Sequence, residues 1–235
     1  MATRKRIDFA QAGYYLIGLL IVAILGFWPS YFSKFFNGEA NYTPYFHAHA
    51  IIMMLWVVAL IVQPILIRKR QLSWHRIIGK GSYVLFPLVI IAGALLAHHT
   101  ATPGDRLARG LFIPFKDILI LLTAYSIAIY YRKNPAIHAR GMVATAIPFL
   151  EPALVRFLGW SLPESFPFNP YIWTVLIMDF ILIALIIRDR NAKQGRWVFP
   201  LILCLYFVIQ FIIFSRIDLP FWNTIAEWYA ALPLT

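Results

Sequence analysis

Apolar residues run along this chain in blocks of about twenty, separated by short stretches of Pro, Gly, Asn and charge. The blocks lie at roughly 10–31, 47–68, 77–98, 111–131, 141–160, 170–187 and 197–215. Each has about the length a helix needs to cross a hydrocarbon layer of about 30 Å at about 1.5 Å per residue. Helices are expected because hydrocarbon offers no partner for free backbone N–H and C=O groups. The pattern predicts an all-α polytopic membrane protein. It is read as a single transmembrane domain over residues 1–235, with seven spanning helices, the N-terminus inside and the C-terminus outside. Beyond the last block, Phe221, Ile225, Trp228 and Leu232 recur at helical spacing, with Trp222 and Tyr229 beside them. That stripe predicts a short helix lying in the outer interface, the depth Trp and Tyr prefer.

Composition agrees with the pattern. Of 235 residues, 61% are hydrophobic and 13% charged; a soluble domain carries about 25% charged residues. The net charge of +11 would suggest nucleic acid in a soluble protein. Here its distribution describes topology, and the partner it implies is a lipid bilayer. The N-terminal side of the pattern holds Arg4, Lys5, Arg6, Arg68, Lys69, Arg70, Arg76, Lys80, Arg132, Lys133, Arg140, Arg188, Arg190, Lys193 and Arg196. The other side holds Lys34, Arg106, Arg109 and Arg216, while Lys116 and Arg156 fall inside blocks. By the positive-inside rule the first set is cytoplasmic. The basic Arg4-Lys5-Arg6 group precedes an apolar stretch too long for a signal peptide, so the first block is read as a retained helix. Cys204 is the only cysteine, which excludes an internal disulfide and cysteine-ligated zinc or iron–sulfur centres within one chain.

Ionisable residues inside such blocks are costly and normally face the bundle interior. On the outer side, His47 and His49 open the second block in FHAHAIIMMLW, and His98 and His99 close the third in GALLAHHT. Asp117 lies about two turns into the fourth block, beside Lys116. Glu151 and Arg156 lie in the fifth and Asp179 in the middle of the sixth. This set suits a metal ion or haem b, because neutral imidazole binds both. Two limits apply. His47 and His49 stand on nearly opposite helix faces, and adjacent His98 and His99 diverge too. Glu151, between Pro148 and Pro152, is the strongest member: the helix should kink there, and a carboxylate so placed must be neutral, paired or ligating. Arg156 is a potential partner, though five residues is poor helical spacing for a pair.

A second group lies on the cytoplasmic side. His75 opens WHRIIGKGSY and His138 opens HARGM, followed by Arg76 and Arg140, with Gln63 near the inner end of the second block. These residues suit lipid phosphate, proton delivery or a second cofactor. His75 and His98 are separated by about 34 Å of continuous helix, so they cannot share one centre. If His75 and His138 flank one haem, they must come within about 15 Å of each other.

These motifs resemble those of a bacterial family of membrane proteins with no assigned function. In that family a histidine opens a span that Gln and Arg close, followed by an HR-x-x-G-x-x-Y motif and an HRRWM-like motif. The matching positions are His47 or His49, Gln63, Arg68, His75-Arg76-Ile77-Ile78-Gly79, Tyr83, His138-Ala139-Arg140-Gly141-Met142 and Arg156. Gly79 and Tyr83 stand one residue further apart than in the strict form, and Gly141 replaces a bulky residue. The resemblance covers about half the chain, from Phe46 to about Leu158, and implies the bacterial cytoplasmic membrane. The chain also resembles the cytochrome b561 group of dihaem electron carriers, through His47 or His49, His75 and His138. The block 111–131 has no histidine, so an outer haem would need His98 or His99.

Three classes of function follow. The first is a redox protein with a metal or haem b and a membrane redox partner. The second is a metal-dependent enzyme using Asp117 or Glu151 as ligand or base. The third is a proton-coupled carrier, or an accessory subunit associated with other membrane subunits, with Asp117, Glu151 and Asp179 as a proton path.

Overall fold

The computed structural model describes residues 9–39, 41–102, 104, 107–163, 165–167 and 169–235. Arg4, Lys5, Arg6 and Arg106 of the charge pattern lie outside them. Every regular element among the described residues is a helix. After a short 3-10 turn, α1 (Ala12–Phe27) continues through a π turn (Trp28–Phe32) into α2 (Ser33–Phe36). Then come α3 (Pro44–Arg68), α4 (Leu72–His99), α5 (Leu107–Tyr130), α6 (Pro135–Ala144), α7 (Ile147–Ser161), α8 (Pro170–Asp189), α9 (Val198–Phe214) and α10 (Pro220–Ala230). Six helical stretches among the described residues are long and apolar enough to cross a membrane. They are Ala12–Phe36, Pro44–Arg68, Leu72–His99, Leu107–Tyr130, Pro135–Ser161 and Pro170–Asp189. The seventh apolar block forms the shorter helix Val198–Phe214.

Local sequence explains where the helices start. Pro44, Pro135, Pro170 and Pro220 each open a helix, where the missing N–H costs nothing and φ is already helical. Asn134 accepts hydrogen bonds from the N–H groups of Ala136 and Ile137, and Asn169 accepts one from Tyr171, so both satisfy orphan donors of a first turn. The fifth apolar block is interrupted between α6 and α7. Pro148 has no N–H for the carbonyl of Ala144, and the helix breaks just ahead of it. The break separates the two halves of one crossing and leaves Glu151 in the first turns of α7.

Helix ends gather at two faces. At the basic face, Arg68 lies over the ring of Tyr14, Arg140 pairs with Asp189, and Asn134 donates to Gln194. Toward the opposite face Trp160 of α7 donates to the Leu25 carbonyl of α1. Neighbours pack closely through small residues. A Cβ on Gly26 would collide with the Ala153 backbone of α7, one on Gly13 with the Ile61 carbonyl of α3, and one on Gly141 with Ala128 of α5. Close approach through small side chains is how helices associate where no hydrophobic drive separates protein from lipid. Large apolar side chains point outward instead, among them Val84, Phe180 and Phe211.

The predicted C-terminal helix forms as α10 and is tied to the bundle. Trp222 donates to the Ala108 carbonyl at 2.7 Å, and the Tyr229 hydroxyl donates to the Ala94 carbonyl. Burial raises the pKa of the Tyr229 phenol, which keeps it a neutral donor. Phe221 and Trp228 remain exposed on the outer side of the helix.

Candidate functional site

The most strongly polar place in the interior is built around a residue that sequence reasoning set aside. Lys116 of α5 donates to Asp117 Oδ1 at 2.7 Å and to both carboxylate oxygens of Glu151, at 2.8 Å and 2.7 Å. The side chains of Lys116 and Glu151 are 2% and 6% exposed, that of Asp117 19%. Glu151 therefore pairs with Lys116 and not with Arg156. Arg156 donates to the Pro152 carbonyl and lies over the Phe27 ring on the α1 side. The break ahead of Pro148 places Glu151 to face α5 at this level. The signal in the sequence was a lysine inside an apolar block, a residue as costly there as either acid.

Two further groups extend the site toward α8 and α9. Tyr206 of α9 is 1% exposed, and its hydroxyl has no hydrogen-bond partner among the described residues. It feels the charges of Asp117, Glu151 and Asp179 and interacts with Tyr171. Asp179 of α8 accepts a hydrogen bond from Gln210 at 3.0 Å. Tyr206 and Gln210 are one turn apart on α9 and share a face. The arrangement is an ion cluster with two acids, a buried phenol within reach of their charges, and a third acid hydrogen-bonded to Gln210.

The outer histidines are dispersed. His47 bonds the Tyr31 hydroxyl at 2.8 Å within an aromatic group that includes Phe35 and Tyr42. His49 lies 3.4 Å from the Ala92 carbonyl. His98 contacts the Thr235 hydroxyl at 2.6 Å and His99 the Thr43 hydroxyl at 3.1 Å. Among the described residues no three of His, Cys, Asp and Glu come together as a metal-binding group. The donor set expected for an outer metal centre thus does not assemble among the described residues. The four imidazoles share a depth, but each faces a different neighbour.

At the basic face the second group is closer together. His75 feels the charge of His138 across the helix boundary and lies against the Gln63 main chain. His138 shares a hydrogen bond with the Ala128 carbonyl at 2.9 Å through Nδ1. Arg140 is separate from them. Its guanidinium forms a buried fork on Asp189, donating from Nε at 2.6 Å and from Nη2 at 2.5 Å, and lies over the Phe9 ring, 4.8 Å from its centroid. Gly195, at φ +78°, brings the α8–α9 loop against Arg140 and Ile137, where a Cβ would crowd both. Asp189 is a partner the sequence did not reveal, because it closes a block where an acid usually meets water. Arg76 is exposed at the same face.

No family model matches the chain, and no curated protein or solved structure matches it significantly.

Proposed function

We propose that the protein is a proton-coupled carrier of the bacterial cytoplasmic membrane, with Lys116, Asp117 and Glu151 as its proton-binding centre. The observation that carries this reading is the ratio of charges. One ammonium holds two carboxylates inside the bundle, and the charges acting on Asp117 are those of Lys116 and Glu151. With both acids ionised, one negative charge is left uncompensated in a medium where that is costly. A proton shared by the two acids neutralises it, and its release and uptake give the site two charge states. Tyr206 and the Asp179–Gln210 pair supply the next proton-bearing groups. The helix Val198–Phe214, at about 25 Å, is near the lower length limit for a span. The exposed basic side chains Arg68, Lys69, Arg70, Arg132, Lys133, Arg188 and Arg190 face the cytoplasm by the positive-inside rule, and counting this helix as a crossing puts the C-terminus outside.

Infrared titration of the protein in lipid tests the centre. A carbonyl band of protonated carboxylic acid should vary with pH and be lost or shifted in both Glu151→Gln and Asp117→Asn. A band indifferent to both substitutions refutes the reading. The same sample separates this function from a metal or haem centre. A Soret band, or stoichiometric metal that disappears in Glu151→Gln, would put the cofactor reading in its place.

A further inference from the structure

Buried polar atoms without partners are rare, and each needs an explanation. Among the described residues five side-chain atoms qualify, and three of them belong to α3 and α4: His75 Nδ1 and Gln63 Oε1 toward the basic face, and Trp56 Nε1 midway along α3. They are not scattered. His75 is in the first turn of α4, beside His138 and the Gln63 main chain. The Gln63 amide lies next to Gly79, whose Cβ, if it had one, would stand 3.7 Å from Nε2. Ser82, one turn further along α4, donates to the Gly79 carbonyl at 2.7 Å and meets the Tyr125 hydroxyl at 3.0 Å. The Tyr125 ring packs on Trp56 with centroids 5.7 Å apart. Polar groups therefore continue from the helix ends at the basic face to Trp56, midway along α3 and about 18 Å from either end of it. Trp56 and Tyr125 sit in an apolar core cluster with Val57, Leu60, Phe86 and Val89, which closes the row at their level.

In a membrane the usual remedy for an orphaned donor or acceptor, exposure at the surface, is absent at this depth. Side chains of mixed donor and acceptor character, starting from the half-buried His75 at the basic face, are what ordered water requires, at two to four partners per molecule. We infer that this row of groups lines a hydrated half-channel, which admits water and protons from the basic face and ends at Trp56 and Tyr125. Gln63 Oε1 accepts from water, Trp56 Nε1 donates to it, and His75 does either according to its tautomer. The glycine at position 79 leaves the Gln63 amide uncovered. Tyr125 and Asp117 are eight residues apart on α5, so the channel stops about 12 Å short of the ion cluster along that helix. Its existence does not depend on the proton chemistry of the cluster; its use as the cluster's cytoplasmic inlet does.

Cysteine accessibility tests it. In a Cys204→Ser background, Ser82→Cys and Gln63→Cys are each exposed to a charged, membrane-impermeant methanethiosulfonate in sealed vesicles of both orientations. Val89→Cys, at a residue 1% exposed in the apolar core, is the control. Ser82→Cys and Gln63→Cys should react at least about tenfold faster than Val89→Cys, and only from the basic face. Rates equal to the control's, or labelling from the opposite face, overturn the proposal. Hydroxyl-radical footprinting of the unsubstituted protein removes dependence on the variants' folding. Trp56 and Tyr125 should be oxidised, relative to their intrinsic reactivity, well above the fully buried Phe199, and oxidation no greater than at Phe199 is a second refutation. Neither result alters the infrared titration of Asp117 and Glu151, so failure of the channel and failure of the proton centre are distinguishable.

Discussion

Lys116 binds two acids from two helices, and its removal should show what the cluster is worth. Lys116→Met leaves Asp117 and Glu151 facing each other without a cation. Removing one member of a buried ion pair typically costs about 3–5 kcal/mol. The triple variant Lys116→Met/Asp117→Asn/Glu151→Gln removes the three paired charges together and should recover most of that loss, as when all partners of a buried interaction become neutral. Thermal unfolding in detergent measures both, and a triple variant no more stable than the single would mean that Lys116 acts through packing alone. At this scale the sequence revealed position along the helix axis but not direction around it. Glu151 stood out because two prolines bracket it. The outer histidines stood out because they share a depth, yet Tyr31, Ala92, Thr235 and Thr43 engage them one by one. Rotation about the axis depends on neighbours distant in sequence, and Lys116 could be matched with Glu151, 35 residues away, only once α5 and α7 were packed.

The elements were more legible than their partners. Apolar length located each of the predicted blocks, and the prolines at 44, 135, 170 and 220 mark helix starts to the residue. The interruption near Pro148 was also foreseeable, since a missing donor acts locally. Packing order was not. That α1 lies against both α3 and α7 follows from Gly13 and Gly26, whose role is invisible until the facing backbones are known. Gly26→Ala should force α1 and α7 apart at Ala153. An overpacked close contact of this kind costs about 1–3 kcal/mol, whereas Gly18→Ala, with nothing near its Cβ, should be neutral or slightly stabilising. Comparing the melting temperatures of the two variants checks the argument. Equal effects would mean that the α1–α7 contact is loose.

For the whole molecule, the alternation of basic and non-basic helix ends leads to a definite arrangement in the bilayer. Reporter fusions at Gln71 and Asn191 should report the cytoplasm, and a fusion after Thr235 the outside. A cytoplasmic C-terminus would mean that Val198–Phe214 does not cross and that six helices do. The Thr235 hydroxyl contacts His98, and the Leu234 carbonyl accepts from Tyr45, so that fusion needs a flexible spacer to leave the tail docked.

The spacing of the ion cluster along the chain also bears on how the protein is made. Lys116 and Asp117 leave the ribosome together and enter the membrane as an adjacent pair of opposite charges, with a local partner for each during insertion. Glu151 follows 35 residues later, a delay of roughly 2–7 seconds at ordinary rates of synthesis. During that interval Lys116 and Asp117 can settle within α5 as a neutral pair. The arrival of α7 then adds the second acid, so the excess charge enters the bilayer only when the lysine that receives it is already in place.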